Sequence, residues 1–184
     1  MVDDAHGFGV LGEHGRGSLE HCAVAAHDVP VYMATLGKAL GTAGAFIAGS
    51  SDLIETLIQK ARTYIYTTAS PPALAEATRT SLNLVRSRPD TRKQLQDNIR
   101  YFRNCCGQLG VVLSISQTAI QPIIIGEARD AISISEQLLA NGVLVTAIRP
   151  PTVPEGSARL RITITAAHQH THIDKLISLL RQLL

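Results

Sequence analysis

The spacing of apolar and polar positions divides the chain into two stretches with different rhythms. In the first, Val29-Pro30-Val31-Tyr32-Met33-Ala34 and Ala45-Phe46-Ile47-Ala48-Gly49 are continuous apolar runs of strand length, and Thr35-Leu36-Gly37-Lys38 leads out of the earlier one. Ser51-Asp52 is placed to cap a helix running from about Leu53 to Tyr64. Helical spacing resumes over about 73–87 and 90–108, after the break at Thr67-Thr68-Ala69-Ser70-Pro71-Pro72. Ser87-Arg88-Pro89-Asp90 is the expected domain boundary, giving units of about 1–88 and 89–184. Beyond it the pattern predicts a strand at about 119–125, a helix at 129–140, strands at 143–148 and 158–165, and a closing helix at 170–184. Asn141-Gly142 stops the middle helix, and Ser157 to Thr165 alternates apolar residues with Arg159, Arg161, Thr163 and Thr165, the period of a half-buried strand. The second stretch therefore reads as a small α+β domain.

Composition narrows the function. Hydrophobic residues make up 45% of the 184 residues and charged residues 17%, which sets the chain among ordinary globular proteins and excludes disorder. The net charge is only +2, with no basic stripe interleaved with aromatics, so no nucleic-acid partner is expected. No apolar run approaches the roughly 20 residues of a membrane span, and the start lacks a signal-peptide pattern; a cytoplasmic protein without a membrane partner is expected. Cys22, Cys105 and Cys106 show no CxxC spacing and read as unpaired thiols. Polar residues Asp3-Asp4-Ala5-His6 follow Met1-Val2 with no preceding element to support them, so the chain is expected to be a fragment of a longer protein.

Several side chains can carry chemistry. Lys38 lies in a loop with Gly37, Gly41 and Gly44, small neighbours that let a flat ring approach the backbone, although a lysine in such a loop is ordinarily a surface residue. Because Ala39 follows Gly37-Lys38, this is no Walker phosphate loop. Asp3 and His6 are close enough in a turn to reach one ligand: a carboxylate keeps a pyridine nitrogen protonated and an imidazole can bond a ring hydroxyl, while a metal or a solvated turn stay open as alternatives. Gly7-Phe8-Gly9-Val10-Leu11-Gly12 matches G-x-G-x-x-G, but Glu13-His14-Gly15-Arg16-Gly17 cannot continue it as a helix, which argues against dinucleotide binding. Arg149, before Pro150-Pro151-Thr152, and the strand residues Arg159 and Arg161 can clamp a carboxylate or simply be solvated. His168, His170 and His172 alternate at a helix start, where alternate residues diverge, so no metal set is expected.

Three segments, in order, carry a resemblance: Asp3-Asp4-Ala5-His6-Gly7, Thr35-Leu36-Gly37-Lys38-Ala39-Leu40-Gly41, and Ala147-Ile148-Arg149-Pro150-Pro151-Thr152-Val153-Pro154. Together they resemble the α-oxoamine synthase family, and the block Ala158 to His168 is closest to its member that condenses L-alanine with a pimeloyl thioester. The resemblance covers essentially the whole chain. It implies an α/β fold: the C-terminal part of the large domain of a fold-type I transferase dependent on pyridoxal 5'-phosphate (PLP), followed by a small α+β domain. By the same resemblance Lys38 carries the cofactor, Asp3 pairs with the pyridine nitrogen, and His6 bonds the ring hydroxyl. Thr35 would touch the cofactor near its phosphate, Thr68 would reach the phosphate of a neighbouring subunit in a homodimer, and Thr152 and Arg161 would contact substrate, Arg161 through its carboxylate.

The family's chain is about twice as long by resemblance, and the further half supplies the stacking imidazole and much of the large sheet. The chain by itself is therefore expected to be inactive unless a second polypeptide completes it. Two other readings accompany this one: a sister synthase using glycine or serine, and a non-catalytic remnant or partner subunit.

Overall fold

The structure, a computed structural model, describes all 184 residues and divides within one helix into two compact units, Met1–Arg92 and Lys93–Leu184. In the first unit β1 (Val2–Asp3), β2 (Val31–Thr35) and β3 (Ala45–Gly49) form a sheet in that order. β1 runs parallel to β2, and β3 antiparallel to it. Most of the chain from Gly7 to Gly17 is turn, followed by the single-turn α1 (Ser18–His21).

The helices of this unit follow local chemistry with two departures. α2 (Ser51–Lys60) is capped by Ser50, one residue before the expected cap, whose hydroxyl accepts the Leu53 N–H at 3.3 Å. The helix expected to reach Tyr64 breaks at Ala61, where the backbone turns extended (ψ 102°), and resumes as α3 (Arg62–Ile65); no Gly or Pro marks the break. α4 (Pro72–Ser87) opens on proline, whose missing N–H has no partner to lose in a first turn. It stops at Arg88, held out of the helical region by Pro89. α5 (Pro89–Gln108) begins again on that proline.

The second unit is a conventional two-layer arrangement. β4 (Ile120–Gly126), β5 (Thr146–Ile148) and β6 (Ala158–Thr163) form an antiparallel sheet with β6 in the centre. α6 (Ala128–Ala140) ends as its sequence demands: Gly142 takes φ +75°, its N–H reaches Leu139 O at 2.8 Å, and the Val143 N–H reaches Leu138 O at 2.9 Å. β5 begins three residues later than the apolar pattern suggests, because the chain from Gly142 is still leaving that cap. α7 (His170–Leu183) closes the chain.

Core is distributed unequally. Helical spacing in α5 buries Leu95, Ile99, Phe102 and Cys106, α7 buries Ile173, Leu176, Ile177 and Leu180, and the inner face of β6 buries Ala158, Leu160 and Ile162. The first unit buries only Ala5, Ala34 and Leu40 among its hydrophobics, while Ile47, Tyr64, Ile65 and Tyr66 stand open to solvent. Phe102→Ala is therefore expected to destabilise the second unit by about 3–5 kcal/mol. Ile47→Ala, at a position 40% exposed, should change stability by less than about 1 kcal/mol. Urea unfolding of the two variants checks both.

Candidate functional site

Parallel pairing brings the carboxyl ends of β1 and β2 to one edge, the edge at which α/β sheets bind their ligands. Asp3 pairs with Met33, and paired residues project to the same face, as does Thr35 two positions on. Lys38 follows in the connection to β3, and its Nζ donates to Thr35 Oγ1 at 3.1 Å. Asp3, Thr35 and Lys38 thus occupy one open face at one end of the sheet. Asp3 Oδ1 accepts the Ala5 N–H at 2.9 Å. His6 is exposed in the turn immediately after β1.

The connection carrying Lys38 is held by its own backbone and by α4. The Leu36 N–H donates to Gly44 O at 2.9 Å, Thr42 N–H to Leu36 O at 3.0 Å, and Gly41 N–H to Lys38 O at 3.0 Å. From α4, the Thr78 hydroxyl donates to Thr42 Oγ1 at 3.0 Å and the Ser81 hydroxyl to Leu40 O at 2.6 Å, above a Leu40 side chain only 3% exposed. A methyl group at Gly41 would meet nothing within 4 Å, and at Gly37 only Thr42 O at 3.5 Å, so the connection is open at both glycines. No carboxylate makes an ion pair with Lys38.

Asp4, which sequence reasoning passed over, is buried. Its Oδ2 accepts the Ser18 N–H at 2.8 Å and the Tyr32 hydroxyl at 2.6 Å, and its Oδ1 accepts the Ser18 hydroxyl. Burial, and then the bond to Asp4, push the Tyr32 phenol well above its usual range. Phe8 packs edge-on against Phe46 at 5.2 Å on the same side as Tyr32. Arg92 fixes the far side of the glycine-rich segment, donating to Glu13 O at 2.8 Å and to Val85 O at 2.6 Å. Only the doublet Asp3-Asp4 hinted at such a role, since adjacent residues leaving a strand point to opposite faces.

The remaining expected residues lie elsewhere. Thr68 is exposed in the loop between α3 and α4 and is bonded to none of the others. Thr152 and Arg161 belong to the second unit. Thr152 is exposed in a turn closed by its N–H on Arg149 O at 3.0 Å. Arg161 is half-buried on the outer face of β6, between Pro122 of β4 and Thr146 of β5, with no carboxylate partner. The three alternating histidines are spent on the start of α7: His168 Nδ1 accepts the Thr165 N–H, His172 Nδ1 accepts the Gln169 N–H, and His170 stacks on Tyr101 at 3.9 Å. An open cleft of about 960 Å³, lined by Arg16, Leu19, Val24, Pro30, Tyr32 and Gly49, lies at the opposite end of β2 from Lys38.

The three-stranded sheet with its parallel β1–β2 pair, followed by the small α+β unit, is the fold of about half of a fold-type I PLP enzyme. The chain belongs to the aminotransferase class I and II family, whose sequence model matches residues 1–180. It is similar to the 8-amino-7-oxononanoate synthase of Thioalkalivibrio sulfidiphilus, with 58% identity over 98% of this chain and 46% of that protein. The crystal structure of 8-amino-7-oxononanoate synthase from Francisella tularensis overlaps it with a TM-score of 0.88 and 33% identity, over 98% of this chain and 53% of that one. A variant of the serine palmitoyltransferase from S. paucimobilis, solved with PLP–myriocin bound, overlaps with a TM-score of 0.91 and 26% identity, over 99% of this chain and 46% of that one. The chain spans about half the length of the curated relatives it matches.

Glu20 gives a pH test of the glycine-rich segment. Desolvation raises its carboxyl, but the N–H groups of Arg16 and His14 and the His14 ring outweigh this and set it down to about 2. A depressed carboxyl stabilises the fold fully above its usual 4.5 and loses that contribution as pH falls toward 2. The protection of the His14 and Arg16 amides, measured as exchange relative to the intrinsic rate at each pH, is expected to fall over that interval, and in Glu20→Gln to be lower and independent of pH.

Proposed function

We propose that this chain supplies the lysine-bearing part of an enzyme that condenses L-alanine with a pimeloyl thioester, releasing carbon dioxide and the free thiol and forming 8-amino-7-oxononanoate for biotin synthesis. The observation that carries the reading is the Lys38 amine, held by Thr35, without a carboxylate partner, on the face that also presents Asp3. The 58% identity to a synthase of that name supports the choice of reaction.

The residues present fit PLP. An exposed amine, an exposed carboxylate and a threonine hydroxyl are the donor set such a cofactor needs. Lys38 would hold it covalently, Asp3 would pair with the ring nitrogen, His6 would bond the ring hydroxyl, and Thr35 would lie near the phosphate. When bound, PLP supplies an electron-withdrawing ring that spreads the negative charge left at the alanine Cα. Once the alanine amine has displaced it from the cofactor, the freed Lys38 Nζ would remove that Cα proton and later return a proton to the same carbon. Thr68 would reach the phosphate of the partner in a homodimer. Arg161, whose guanidinium has no partner of its own, would hold a substrate carboxylate, with Thr152 contacting the substrate nearby. Because the first unit buries so few hydrophobics, turnover is expected to need a further polypeptide that covers it.

A sister synthase that takes serine draws support from the overlap with serine palmitoyltransferase; the lower identity there, 26% against 58%, favours alanine. The deciding experiment incubates the chain with PLP, reduces it with borohydride and maps the pyridoxyl group by peptide mass. Labelling is expected at Lys38 in preference to Lys60, Lys93 and Lys175, and Lys38→Ala should abolish the specific label. In a complemented, active enzyme the same substitution should lower kcat by at least about 10²-fold. Even labelling of the four lysines would sink the reading.

A further inference from the structure

We propose that Asp4 is a positioning residue, whose buried carboxylate straps the turn bearing Asp3 and His6 to the strand that delivers Thr35 and Lys38. The inference rests on the PLP reading of this face and adds what keeps its two halves in register.

The strap has a backbone part and a side-chain part. The Asp4 N–H donates to Met33 O at 2.7 Å, extending the β1–β2 pairing by one residue. The side chain then turns to the opposite face and accepts from Tyr32, the residue before Met33. Two successive positions of β2 are thereby tied to one residue that is itself flanked by Asp3. The turn winds back on the same residue, since the N–H groups of Gly7 and Phe8 both donate to Asp4 O at 3.0 Å. His6 sits inside that closed turn, so its place depends on Asp4 as directly as that of Asp3.

The surroundings leave the carboxylate little freedom. It is 2% exposed, and a Cβ at Gly7 or Gly17 would fall 2.0 or 1.8 Å from its oxygens. Ser18 supplies two of its three donors and Tyr32 the third. An amide in place of the carboxylate can still accept from Ser18 and Tyr32 but lacks the charge that makes those bonds strong, so Asp4→Asn keeps the volume and weakens the strap. Tyr32→Phe keeps the carboxylate and removes only its tie to β2.

The experiment titrates PLP against the whole 184-residue chain, traps it with borohydride, and measures labelling at Lys38 for the wild type, Asp4→Asn, Tyr32→Phe and Glu20→Gln. Half-saturating PLP is expected to rise about tenfold or more in Asp4→Asn and about three- to tenfold in Tyr32→Phe. Glu20→Gln, which loosens the far end of the same loop, should leave it unchanged. The pH midpoint of the bound cofactor's absorbance should move downward in both strap variants and stay put in Glu20→Gln, a change that loop order alone does not produce. Wild-type affinity and midpoint in both strap variants would overturn the proposal, as would an equal effect of Glu20→Gln. If Asp4→Asn does not fold, Tyr32→Phe decides. Selective labelling at Lys38 with no strap effect refutes only the role of Asp4; unselective labelling of the wild type removes the PLP reading, and this proposal falls with it.

Discussion

A carboxylate without water must find donors, and the first unit is arranged around meeting that demand for Asp4. An uncompensated buried charge costs several kcal/mol, enough to unfold a region with so small an apolar core. Ser18 and Tyr32 satisfy it, and the chain between Gly7 and Gly17 folds tightly enough to bring Ser18 back. That closure leaves no room for side chains where it passes the carboxylate, and Gly17 must also take φ +88°. Of the glycines that mimic a dinucleotide fingerprint, Gly7 lies on that carboxylate, while Gly9 makes room for Leu40 and Gly12 for Glu20.

The two units are held by different forces. In the second, apolar side chains from α5, α6, α7 and β6 form a continuous core, and its buried polar groups are tied into it. Asn98 donates to Thr165 O and His168 O, while Gln121 bonds Ser116, Thr118 and Arg103. In the first, hydrogen bonds carry most of the order. The Lys38 connection is closed by backbone bonds and pinned by Thr78 and Ser81, and Arg92 holds the loop at Glu13. Each such bond contributes only about 0.5–1.5 kcal/mol, so local opening of this unit takes less free energy than opening the apolar core of the other. Covering its exposed Ile47, Tyr64 and Tyr66 would add the missing hydrophobic term.

Period and punctuation made most elements legible. The spacing in α5, the Asn141-Gly142 stop and the alternation in β6 are each one-dimensional signals, and the structure keeps all three. The break at Ala61 and the cap at Ser50 were not legible, because helix ends depend on bonds that several neighbouring residues can make. Within the site, Lys38 and Asp3 stood out through the motifs around them. Asp4, Tyr32, Thr78 and Ser81 did not, since their partners lie between about 14 and 41 residues away and no local spacing encodes such pairs. The histidines at 168, 170 and 172 show the reverse: a pattern conspicuous in sequence resolves into backbone caps and a ring stack.

Strand parity explains why the candidate ligand residues lie where they do. In each unit one face of the sheet is used for packing and the other is left open. Tyr32, Ala34 and Phe46 turn to the packed side of the first sheet, where Phe8 and Asp4 meet them, which leaves Asp3 and Thr35 on the open side with Lys38 bonded to Thr35. In the second sheet Ala158, Leu160 and Ile162 face the helices, which leaves Arg159 and Arg161 outward. A slip of one residue in either ladder would exchange the two sets, burying arginine and exposing leucine in one unit and turning the carboxylate of Asp3 inward in the other. The penalty for that slip is large in the second unit because the core is large. In the first it must come mainly from Asp4, whose bonds to Met33 and Tyr32 are satisfied in one register only, so a buried charge does there what apolar packing does elsewhere.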